Sequence, residues 1–213
     1  HHVQDAHEQQ AAAHAEAGLA MGGGLPEGGG AGGGGGSGHG GEATDRGPGG
    51  PSSGCARITR VTPEDLVAIR EIEQLKYRYV RALDTKDWDL FATCFTPDAS
   101  AHYGDRLDFD SAEAIVGYMR ETLVPTMLTV HQVHQPEITV DGDAATGTWG
   151  LMDRVILLDY RLLLDGASFY EDAYERGTDG AWRIARTTYR RIYEQMVSMD
   201  DVPSFKLTAN LFA

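Results

Sequence analysis

Nineteen of the chain's 27 glycines lie between Gly18 and Gly54, and this concentration limits how much of the 213 residues can build a core. Residues 1–57 also hold five of the eight histidines and almost no large apolar side chain. Such a segment cannot bury enough surface to offset the conformational entropy of ordering it. We read 1–57 as a flexible Gly-rich low-complexity tail and 58–213 as one folded domain with a C-terminal extension. Ala11 to Met21 is helix-prone but is broken by His14 and Glu16, and it lacks the basic start and apolar middle of a signal peptide. His1-His2 fits a tag remnant or a fragment edge, a better account of the tail's histidines than metal capture. Gly32 to Gly36 satisfies glycine-rich phosphate-loop patterns trivially, with no strand before it and no Lys-Ser/Thr after it.

Charge and cysteine count narrow the function classes. Eighteen Lys and Arg against 32 Asp and Glu leave a net charge of −14. Nucleic acid and anionic membrane surfaces call for a basic footprint, so neither is expected as a partner. No apolar run is long enough to span a bilayer. Two cysteines, Cys55 and Cys94, make neither a disulfide framework nor a four-thiolate zinc site, which fits a reducing, cytoplasmic setting.

The 156 residues from Ile58 onward suffice for one domain. Thr62-Pro63-Glu64-Asp65 reads as a helix start: a cap, a proline in the first turn, then acids at the positive end of the dipole. Leu66, Ile69, Ile72, Leu75 and Tyr79 recur at helical spacing to about Leu83. A second helix is expected over Asp87 to Phe95, with Trp88, Phe91 and Phe95 on its apolar side and Thr96-Pro97-Asp98 stopping it. Ser111 caps a third, with Ile115, Tyr118 and Met119 facing in. After Pro125 the period changes, and Thr129–Val140, Ala144–Leu158, Leu162–Glu175 and Ala181–Tyr193 read as strands. Asp141-Gly142 and Asp179-Gly180 are turn signals between them. Helices followed by long antiparallel strands predict an α+β fold, with helices on one face of a curved sheet and a conical cavity suited to a small apolar ligand.

Polar residues at positions expected inside mark the candidate chemistry. Asp84 ends the first helix, Tyr79 lies on it, and Tyr103 lies on the Ala101-His102-Tyr103 strand. His131 shares a strand face with Val133, while His134 points the other way. Arg191 sits between Tyr189 and Tyr193 in the last strand, and Glu171 or Asp172 is an available partner for it. His131 against Asp84 would make an oriented imidazole suited to acid/base work. Each residue also has an ordinary reading: a helix-end Asp caps, an inward His or Tyr packs with a tethered polar atom. His102, His131 and His134 do not predict a metal, because two histidines three apart on a strand face opposite sides.

The order of several segments narrows the choice. Ile72 to Lys76, Arg78-Tyr79-Val80-Arg81-Ala82-Leu83-Asp84 with Trp88-Asp89, and His131 to Thr139 resemble the SnoaL-like branch of the nuclear-transport-factor-2-like superfamily. Ala145 to Trp149, Phe169 to Tyr174 and Tyr189 to Glu194 extend the likeness over roughly Glu64 to Met199. Within that branch the chain most resembles bacterial bile acid 7α-dehydratases. The resemblance implies a cone-shaped α+β barrel, no cofactor or metal, a homotrimer, and a polycyclic apolar substrate. It implies site residues Tyr79, Asp84, Tyr103, His131 and Arg191, which would eliminate water from a steroid-like hydroxy-ketone. His131 would take the acidified proton and help protonate the departing hydroxide, Asp84 would orient it, and a tyrosine would stabilise the dienolate oxygen. Arg191 would hold Asp84, a substrate carboxyl, or neither. Scytalone dehydratases are a weaker match, through Asp84 to Asp89, Tyr103 and His131; Ile156 and Glu171 stand where that enzyme has a second histidine and an asparagine. The same cavity would suit a ketosteroid-isomerase-like enzyme, a non-catalytic ligand-binding module or an oxygenase accessory subunit, and fold analogy does not decide among them. Helical spacing favours Tyr77 over Tyr79 as the companion of Asp84, whereas the motif favours Tyr79.

Overall fold

The computed structural model describes residues 61–103 and 107–213. The tail 1–57 and Cys55 lie outside the described residues. Helix α1 (Pro63–Thr85) starts at a reciprocal cap: the Thr62 side chain accepts from the Asp65 N–H, and the Asp65 carboxylate accepts from the Thr62 N–H. It ends at Lys86, whose left-handed φ of 58° turns the chain out of the helix. The buried stripe runs Ala68, Ile72, Leu75, Lys76, Tyr79, Val80, Leu83. Leu66, expected on that face, is exposed, because the stripe is phased from Ala68.

Helix α2 (Trp88–Ala92) is shorter than expected, and Phe95 opens strand β1 (Phe95–Tyr103). Thr96-Pro97-Asp98 therefore lies inside a strand. The proline is tolerated because the pairing of β1 breaks between Phe95 and Ser100. A short β2 (Leu107–Phe109) follows, then α3 (Ala112–Thr122), capped by Ser111 and burying Ile115, Val116 and Met119. Tyr118, expected inside, is only half-buried, with its ring against Phe109. Four long strands complete the fold: β3 (Met127–Asp141), β4 (Ala144–Leu157), β5 (Leu162–Arg176) and β6 (Trp182–Ser198). Gly142 and Gly180 take positive φ in the turns before β4 and β6.

The six strands order β2-β1-β6-β5-β4-β3, antiparallel except for the parallel β1–β6 pair. This is an α+β fold whose curved sheet wraps the helices, as expected. The parallel pair and β2 were not expected. Helix α1 packs on the inner face of the sheet against β3 and β6. Inward positions line up across the strands in rows. One is aromatic: Trp149, Tyr170, Tyr189, Tyr103. Another is polar: His131, Asp153, Gly166, Glu194. After Met199–Asp201, a 3-10 turn, the C-terminal extension returns to the end of α1, where the Phe212 ring lies under Lys86 Nζ at 4.7 Å.

Candidate active site

Asp84 sits in the last turn of α1, the dipole end that disfavours a carboxylate. Three donors from β3 hold it there. Thr129 Oγ1 donates to Oδ1 at 2.9 Å, the His131 N–H donates to Oδ2 at 2.8 Å, and His131 Nδ1 lies 2.6 Å from Oδ1. A carboxylate only accepts, so Nδ1 carries the proton and Nε2 offers its lone pair to the interior. The structure thus brings Asp84 and His131 together. His131 is buried, and the Asp84 side chain is 19% exposed.

Tyr79 and Tyr103 also meet, hydroxyl to hydroxyl at 3.3 Å. Both are fully enclosed, and burial first raises each phenol well above its ordinary range. Tyr77 is 38% exposed with its ring edge-on to Trp149, whereas Tyr79 is fully buried. Tyr79 packs between Phe91, Phe95 and Tyr170.

Arg191 faces in, and its contacts are with Asp153 and Glu194 rather than the expected Glu171, Asp172 or Asp84. Its guanidinium grips Asp153 at 2.6 and 3.2 Å and lies 3.4 Å from Glu194. To do so it crosses β5 over Gly166, where a Cβ would fall 2.2 Å from Nη1. Asp172 is taken elsewhere: it pairs with the Lys76 ammonium at 2.8 Å and accepts from Tyr174 at 2.7 Å and Thr187 at 2.7 Å, all inside the core. Tyr193 leaves the face of Arg191. Ser168 pairs Arg191 and Ala167 pairs Tyr193, so a bulge at Ile192 turns Tyr193 out and Glu194 in.

Three polar residues that the sequence did not single out, Lys76, Asp153 and Glu194, thus lie inside with the five that it did, as does Asp172, expected only as a partner for Arg191. Lys76 stands on the apolar stripe of α1, a signal that was available; Asp153 and Glu194 are recognised only through strand register. Burial, then the Asp153 charge, push Glu194 up to about 7 against the pull of Arg191. Burial lowers Lys76, opposed by Asp172. The histidines do not converge. His131 faces in, His134 lies on the outside across Gly150, and His102 is exposed at the β1 edge beside Asp108. Chemically, the arrangement offers an oriented imidazole and, on the same inner face, a cluster of three charged groups, Asp153, Arg191 and Glu194.

Solved structures share this architecture. A putative scytalone dehydratase from Novosphingobium aromaticivorans aligns at 18% identity and TM-score 0.58, over 68% of this chain and 93% of that one. A hexachlorocyclohexane dehydrochlorinase from Novosphingobium barchaimii aligns at 18% identity and TM-score 0.56, over 62% and 91%. At such identities the likeness concerns the fold. An uncharacterized protein of Mycobacterium tuberculosis is 27% identical over 129 residues, 60% of this chain and 87% of its own. A SnoaL-like domain is matched over residues 64–188, more than half of the sequence, and with the fold and register described above the chain belongs to the SnoaL-like family of the nuclear-transport-factor-2-like superfamily.

Proposed function

We propose that the protein is a cofactor-independent lyase that eliminates water from a steroid-like or polycyclic hydroxy-ketone, with bile-acid-type substrates as the first class to test. The observation that carries this reading is the triple hold on Asp84, which fixes the tautomer and direction of His131. A core histidine needs one partner for its proton. Here the same carboxylate also takes the residue's backbone N–H and the Thr129 hydroxyl, so that Nε2 is the ring atom left for chemistry. His131 removes the proton acidified by a conjugated ketone, and Asp84 stabilises the imidazolium that forms. Tyr79 and Tyr103, held hydroxyl to hydroxyl, supply the donor for a developing oxyanion. Arg191 is charge-matched by Asp153, so its role is to hold the inner face rather than a substrate carboxyl. The same reading makes the protein a homotrimer.

The test is a panel of hydroxylated 3-ketosteroids, free acids and thioesters, followed for the long-wavelength absorbance of extended conjugation. New absorbance with release of water supports the lyase. A shift of a double bond without loss of oxygen would make the protein an isomerase, and binding without change would make it a ligand-binding module.

A further inference from the structure

We propose that Glu194 is the acid that protonates the departing oxygen, dividing with His131 the two proton transfers of the elimination; this rests on the lyase reading above. Three observations converge on it. First, Glu194 closes the row that His131 opens: His131 pairs Asp153, Asp153 pairs Gly166, and Gly166 pairs Glu194. Three strand spacings separate the ends, roughly 14 Å at the backbone. Both side chains face the inside of the curved sheet, so a ligand lying over the row would meet them from opposite sides. Second, the groups between them are committed. Gly166 carries no side chain, and both oxygens of Asp153 already accept from the terminal nitrogens of Arg191. Third, Glu194 is held loosely. Its Oε2 is buried, stands 3.4 Å from Arg191 Nη2 and accepts no hydrogen bond. A buried carboxylate oxygen without a donor favours the protonated acid. Glu194 titrates at about 7, so a large share of it carries a proton at neutral pH. Among the described residues, the charged and titratable groups on its face are Arg191 and Tyr189 on β6, Asp153 on β4 and, at the far end of the row, His131 on β3.

The step balances. His131 Nε2 takes the proton from carbon, and the C–H pair becomes the new double bond. The C–O bond breaks with its electrons on oxygen, and the Glu194 O–H proton joins them to release water. Imidazolium and glutamate carboxylate remain, and exchange with solvent returns a proton to Glu194 and takes one from His131.

The experiment compares wild type with Glu194→Gln on two probes, a hydroxylated 3-keto-4-ene steroid and the same steroid with chloride in place of the hydroxyl. Chloride leaves without a proton; hydroxide does not. Glu194→Gln should lose about 10²-fold or more on the hydroxyl probe and stay within a few-fold on the chloride, with thermal unfolding confirming that the variant is folded. Glu194→Asp, which keeps the acid but shortens it, should recover part of the hydroxyl activity and covers the case of a poorly folded amide variant. Equal losses on both probes would make Glu194 a support for Arg191 and overturn the proposal while leaving the lyase standing. Unchanged rates on both would overturn it in the same way. A wild-type protein that turns over neither probe would overturn the lyase reading and this role with it.

Discussion

Lys76 shows how far a single residue can depart from its ordinary place. It occupies the apolar stripe of α1, fully buried, with Nζ 2.8 Å from Asp172 and 3.6 Å from the centre of the Tyr170 ring. Removing one member of a buried pair strands the other, so Lys76→Met should cost about 3–5 kcal/mol by urea unfolding. Lys76→Met with Asp172→Asn should be less destabilised than Lys76→Met alone, because the amide leaves no buried charge behind, and its oxygen keeps one of the two hydroxyl donors, Tyr174 or Thr187, that now bond separate oxygens. A double variant worse than the single would contradict this pairing. Gly166 is similarly specific: Gly166→Ala puts a methyl where Arg191 lies and should break its grip on Asp153. Glu194 sets a pH dependence. Its folded value of about 7 stands above the ordinary 4.5, so the folded state binds the extra proton between those values. Its contribution is fully present below pH 4.5 and is lost as pH rises through 7. Unfolding of Glu194→Gln should lose that fall in stability across pH 4.5–7; an unchanged slope would mean that Glu194 ionises normally.

Elements were legible where their signal was local. The four long strands were expected within two residues of their starts, because alternation persists over each of them. Helix α1 was legible through its cap, and Thr62→Ala should cost about 1 kcal/mol, since it removes the hydroxyl that accepts from the Asp65 N–H and leaves only the arm from the backbone N–H of residue 62. The first half of strand β1 was not legible: Thr96-Pro97-Asp98 carries turn chemistry, and only the distant β6 makes a strand of it. The β6 bulge hid the acid for a different reason. Alternation counted through Arg191 puts Tyr193 inside and Glu194 outside, and one extra residue at Ile192 inverts both. Of the site, the Asp84–His131 and Tyr79–Tyr103 contacts follow positions that the family motifs mark. The partner of Arg191 could not be read from one strand, because it lies two strands away across a glycine.

At the scale of the molecule, the outer face of the sheet remains to be covered. Met152 and Tyr193 lie in one outward row with Gln132 and Ala167, flanked by Val130 and Phe169, and all four of the large apolar side chains are exposed. We expect copies of the chain to bury this face, so light scattering at micromolar concentration should give a trimer, and a monomer mass would count against it. The central claim is that His131, oriented by Asp84, moves the proton. It is tested most directly by measuring folded fraction and elimination rate together for His131→Ala, Asp84→Asn and the double variant, on a hydroxylated 3-ketosteroid that wild type converts. Each single change should leave the fold intact and lower turnover by roughly 10²–10⁴-fold. The double variant should be little worse than His131→Ala, since the two residues act as a unit. A folded His131→Ala protein that eliminates water at the wild-type rate would contradict the account.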